Sequence, residues 1–100
     1  MDRSNVFQLI QTETTSDFIG QRIQVETTTT HYCSVDSITS AEFFRAGQTG
    51  IRPEFKLTMF AGDYNGEKIA VLDARRYAIY RTYYSSNDTV ELYLEAKAGV

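Results

Sequence analysis

Thr89-Val90-Glu91-Leu92-Tyr93-Leu94-Glu95-Ala96 alternates apolar and polar side chains with a period of two. Successive side chains of a strand point to opposite faces, so Val90, Leu92, Leu94 and Ala96 share one face and Glu91, Tyr93 and Glu95 the other. Just upstream, Tyr77 to Tyr84 is a β-rich run of aromatics around Ile79, and Ser85-Ser86-Asn87-Asp88 between the two runs is a turn cluster. The two runs are therefore expected to pair as a hairpin, with Ile79 inward and Tyr80 and Tyr93 outward. Arg81 shares the parity of Ile79 and must bend, or lie near a barrel end, to reach the surface.

The same period extends outward from this hairpin. Glu54 to Ala61 sets Phe55, Leu57, Met59 and Ala61 against Glu54, Lys56 and Thr58, with Phe60 on the polar side as an exception. Asp63-Tyr64-Asn65-Gly66 follows, and Asn-Gly is a strong hairpin signal because both residues tolerate positive φ. A strand over Lys68–Leu72 returns from it, and Asp73 to Arg76 makes the next turn. Arg22 to Ser37 places Ile23, Val25, Cys33 and Val35 on one face, and its polar centre, Thr27-Thr28-Thr29-Thr30-His31, fits one long bent strand or two strands with a turn. Val6 to Thr12 is a further strand, and Gly20 breaks the chain before the long one.

One segment departs from this rhythm. Thr39-Ser40-Ala41-Glu42 matches a capping box, with Thr39 as N-cap and Glu42 at the third helical position. Phe43 to Ala46 continues a short helix that Gly47 ends. Gln48 to Arg52 reads as loop, closed by Pro53. Neighbouring helical residues lie about 100° apart, so Phe43 and Phe44 cannot both face a barrel wall; one is expected to pack and the other to be open to a partner. About six strands with one short helix predict an all-β, mainly antiparallel fold, a small barrel or sandwich, in a single domain spanning residues 1–100.

Composition narrows the function. The formal net charge is −3 and the ten Lys and Arg are scattered, with only Arg75-Arg76 adjacent. Tight nucleic-acid binding normally shows a basic patch or stripe, so it is disfavoured here. The opening Met1-Asp2-Arg3-Ser4-Asn5 is polar with no apolar run after it, unlike a signal peptide, and no stretch reaches the ~20 apolar residues of a membrane helix. Cys33 is the only cysteine, which excludes an intramolecular disulfide and a Cys-based zinc site and suits a reducing place of synthesis.

Candidate chemistry is thin. His31 and Cys33, two apart on one strand face, are the sole nucleophile–base pair, and no third orienting group can be assigned. Glu91 and Glu95 share a face around Tyr93 and read as solvated carboxylates. Gly47 and Gly50 have GxxG spacing without a basic context. The expectation is a protein without catalytic, cofactor or metal residues. The Tyr-rich strand is more informative, because Tyr and Arg are enriched at interfaces. Tyr80, Arg81 and Tyr93 are the expected oligomer contacts.

The order of these features resembles the phage head-closure, or head–tail joining, family. The resemblance rests on Ser34-Val35-Asp36-Ser37-Ile38, then Glu42, Ala46-Gly47 and Pro53-Glu54-Phe55, the turn Asp63-Tyr64-Asn65-Gly66-Glu67, and Tyr77-Ala78-Ile79-Tyr80-Arg81. It runs from about Arg22 to Glu95 and carries no single diagnostic motif. It implies a small β-barrel with a long loop between two strands, assembled as a homo-oligomeric ring under the portal and adaptor proteins. Such a ring helps retain packaged DNA, which lies nearby without being tightly bound, and offers a docking surface to tail proteins. The loop corresponds here to Thr39–Pro53, making Thr39, Glu42, Phe43, Phe44, Arg45, Gln48 and Arg52 the expected channel or partner contacts. The place of action would be the virion head–tail interface, after synthesis in the host cytoplasm and away from any membrane. Two rival readings are a tail-completion or tail-terminator ring subunit and a monomeric β-barrel binding module with a concave aromatic pocket.

Overall fold

The computed structural model describes residues 5–96; the polar opening Met1–Ser4 lies outside them. Six antiparallel strands close into a barrel: β1 (Asn5–Ser16), β2 (Arg22–Ser37), β3 (Pro53–Phe60), β4 (Ile69–Leu72), β5 (Arg75–Tyr84) and β6 (Thr89–Glu95). The order around the barrel is β1-β2-β3-β6-β5-β4, with β4 returning to β1. One α-helix, α1 (Ser40–Gly47), is inserted between β2 and β3.

The inward side chains follow the alternation. Leu57 and Met59 of β3, Tyr77 and Ile79 of β5, and Val90, Leu92 and Leu94 of β6 meet Phe7, Leu9, Cys33, Ala70 and Leu72 in one buried cluster. A six-stranded barrel is narrow enough for such side chains to fill it, so the interior is a core and not a channel. Phe55 meets Tyr77 edge to face at 5.9 Å between ring centres.

The connection after β3 corrects the hairpin expected at Asn65-Gly66. β3 pairs with β2 and β6, whereas β4 pairs with β1 and β5, so the segment between them crosses one end of the barrel. A 3₁₀ turn at Ala61–Asp63 begins the crossing. Tyr64 then packs on the core, its hydroxyl donating to the Glu67 carbonyl at 2.7 Å. Burial, with the nearby Glu67 charge adding to it, pushes the Tyr64 phenol up to about 12. The tight two-residue hairpin instead joins β4 to β5 through Asp73 and Ala74, both at positive φ (52° and 65°) between the paired Leu72 and Arg75, as a type I′ turn requires.

The largest departure is at β1 and β2. They pair along twelve positions, from Asn5↔Cys33 to Ser16↔Arg22, but only their lower part belongs to the barrel. β4 pairs with β1 no further than Ile10, and β3 pairs with β2 only from Ser34 onward. Beyond that the two strands project as a ribbon, the arm, in which no residue from Gln11 to Thr30 is buried. Arg22–Ser37 is thus one continuous strand, and its apolar parity at Ile23 and Val25 is exposed instead of half-buried. Arg76 ties the arm back to β5 through a two-bond ion pair with Glu26, at 2.9 and 3.4 Å. The molecule measures 50 Å along its long axis against 30 and 25 Å across.

Candidate functional site

The helix insertion is the most elaborate surface of the molecule. Thr39 caps it: its backbone is extended and its hydroxyl accepts the Glu42 amide at 3.3 Å. The capping box is only half formed, because the Glu42 carboxylate does not return to Thr39. It turns into the barrel wall, where it is 7% exposed. There it accepts from Arg45, from Arg81 at 2.7 Å and from the Tyr80 hydroxyl at 2.8 Å. Burial alone would raise this carboxyl, but the bonds from Arg45 and Tyr80 and the charges of Arg81 and Arg45 outweigh it, holding Glu42 below its ordinary 4.5. In exchange, burial and the bond to Glu42 push the Tyr80 phenol well above its ordinary range.

This carboxylate inverts the helix. Glu42 and Ala46 are its buried positions, and the aromatics face out, with Phe43 54% and Phe44 73% exposed. The expectation that one Phe packs on the barrel is thereby corrected. The face needed for packing is occupied by a carboxylate that three donors satisfy, and a short helix has no second face toward the wall. Thr49 and Ile51 close its end on the Ala46 carbonyl, and Arg52 and Gln48 stand exposed beyond it.

Tyr80, Arg81 and Tyr93 come together, but not as the exposed pair expected. A bulge between Ile79 and Arg81 leaves Tyr80 unpaired and sets Arg81 opposite Tyr93. This one-residue slip resolves the parity problem of Arg81 and brings it to the outer wall. Its guanidinium lies 4.2 Å from the Tyr93 ring centre. Tyr93 does point outward and donates to Glu91 at 2.8 Å, yet it is only 9% exposed. Beside this group opens a cleft of about 400 Å³ lined by Ile38, Glu42, Arg45, Lys56, Arg81 and Tyr93 among others.

Sequence reasoning did not single out the arm tip. Asp17 builds a five-residue loop there: its carboxylate accepts the amides of Ile19 (3.0 Å) and Gln21 (2.9 Å), and its own amide donates to the Gln21 carbonyl at 2.9 Å. Gly20, at φ 86°, completes the turn. The loop holds Phe18 fully exposed and Ile19 65% exposed. Two bulky apolar residues inside the turn Asp17-Phe18-Ile19-Gly20 were the available signal.

His31 and Cys33 are brought near the barrel without forming a catalytic pair. The His31 Nε2 bonds the Thr29 hydroxyl at 2.8 Å, its Nδ1 lies 4.0 Å from Asp63, and its ring leans on Phe7. Cys33 is fully buried, and burial pushes its thiol up to about 11, which suppresses the thiolate a nucleophile needs. Among the described residues no group of three His, Cys, Asp or Glu side chains is placed to hold a metal ion, and no helix is long and apolar enough to cross a membrane. No family model matches the chain, and no curated protein matches it.

Proposed function

We propose that this chain is a structural connector subunit of a tailed-phage virion, forming a ring under the portal and adaptor that helps retain packaged DNA and presents a surface to the tail. The observation that carries the reading is the α1 insertion between neighbouring barrel strands, which turns Phe43 and Phe44 to solvent while committing a carboxylate to the wall. Exposed apolar surface on so small a domain is characteristic of a contact site. The projecting arm adds a second such surface, and an extended shape suits a part in an assembly better than a free-standing catalyst. The net charge of −3 fits DNA that is blocked and not gripped, since phosphate contacts would hinder its exit.

A tail-completion or tail-terminator ring is the neighbouring reading, and one experiment separates them. Disrupting the gene in its parent phage or prophage should yield separate tails and heads that package DNA and then leak it, with purified protein restoring DNA retention to such heads. Stable, DNA-filled heads accompanied by tails of uncontrolled or unfinished length would assign the protein to the tail. Normal infectious particles would rule out both.

A further inference from the structure

We propose that the β1–β2 arm is the donor half of a contact between copies of this chain: Phe18 and Ile19 of one copy seat on the Phe43–Phe44 face of the next, and the acidic flanks of the arm enter the cleft beside α1. The inference deepens the connector reading and rests on it only for the number of copies and their closure into a ring.

Four observations lead to a second copy as the occupant. The first is position. The arm tip immediately precedes β2 and α1 follows its end, so a sixteen-residue strand separates donor from acceptor. At ~3.3 Å per residue that is on the order of 50 Å, and the long axis of the molecule is 50 Å. Two apolar surfaces so far apart cannot cover each other within one copy, and pairing them between copies is a heterologous contact, the kind that generates rings. The second is charge. The arm carries Glu13, Asp17 and Glu26 against Arg22, and Glu26 already has Arg76. The cleft presents Arg45, Lys56 and Arg81 around the single carboxylate of Glu42. The third is area. Phe18, Ile19, Ile23 and Val25 together expose on the order of 400–500 Å², about half of the roughly 800 Å² per partner in a stable interface. The fourth is order. The bonds of Asp17 already fix the tip loop, so seating Phe18 costs little further entropy.

The test exploits the buried state of Cys33, which leaves an introduced surface cysteine as the reactive thiol. Gln21→Cys, beside the tip, and Gln48→Cys, at the end of α1, are exposed neighbours that leave the aromatic anchors in place; the two chains are mixed and treated with a short bis-maleimide, with Asn87→Cys on the β5–β6 loop as the exposed control. The expected result is a Gln21→Cys/Gln48→Cys conjugate in large excess over either homodimer and over control pairs, and a ladder of oligomers from the chain carrying both substitutions. Phe18→Ala in the Gln21→Cys chain should reduce the conjugate on the order of tenfold, as loss of one good interface anchor does. Gln21→Cys homodimers in excess, or conjugates no more abundant than with Asn87→Cys, would overturn the proposal. Docking of the wild-type chain on purified portal–adaptor complexes is followed in parallel. Docking without the conjugate sinks the arm contact and leaves the connector reading intact; the conjugate without docking supports the arm contact and sinks that reading.

Discussion

Ala74 sits where the backbone asks for another residue. Its φ of 65°, next to Asp73 at 52°, is the left-handed geometry that lets a two-residue hairpin follow the twist of its strands. Asp tolerates it through its short polar side chain, whereas the Cβ of Ala crowds the following carbonyl. Ala74→Gly is expected to stabilise the fold by about 1 kcal/mol, read as a higher urea midpoint with an unchanged slope. An unchanged or lower midpoint would mean that the turn relaxes around Ala at no cost. The chain does turn where Asp73 to Arg76 predicts it, but it makes no hairpin at Asn65-Gly66. Asn65-Gly66 has the ideal composition and Asp73-Ala74 does not, but composition reports only how readily a turn forms. Which strands it joins is set by barrel closure, and closure sends the chain from β3 across to β4.

Among the elements, α1 shows what patterning can and cannot predict. Its limits and its Thr39 cap were legible because capping is local chemistry. Its orientation was not, since the partners of Glu42, Tyr80 and Arg81, lie almost forty positions away and reach it only through the bulge in β5. The strands divide in the same way. Period two located β3 and β6, and β-rich composition located β5, but such signals mark a strand and not what covers it, so Ile23 and Val25 read like core residues while standing on a bare ribbon. The docking of α1 has a pH signature. Because the folded-state pKa of Glu42 is lowered, its contribution is complete above the unfolded value of 4.5 and is lost as the pH falls through the lower folded value. Glu42→Gln should therefore cost about 1–3 kcal/mol at pH 7, leaving Arg81 without its carboxylate. That deficit should shrink as unfolding is measured at successively lower pH below 4.5. A deficit that stays constant down to pH 3 would show that the carboxylate charge does not hold the helix.

At the scale of the whole molecule, a closed barrel and an open ribbon share two strands, and their stabilities should separate. Nothing from residue 12 to residue 26 is buried, and the Arg76–Glu26 pair is solvent-exposed, the kind of ion pair worth roughly 0–1 kcal/mol. Replacing residues 12–26 by Asn-Gly, which rejoins the paired Gln11 and Thr27, should leave the thermal midpoint of the barrel within a few degrees of wild type. A collapse of the midpoint would show instead that the arm braces the barrel. The seam between β1 and β4 is short by contrast: among the described residues it consists of Gln8↔Val71, Leu9↔Ala70 and Ile10↔Ile69. They join opposite halves of the chain, while the arm is a hairpin of neighbours. Loop-closure entropy therefore sets a sequence of events in folding, with the ribbon zipping early and the seam joining late. The protein would already display its tip before its barrel had shut.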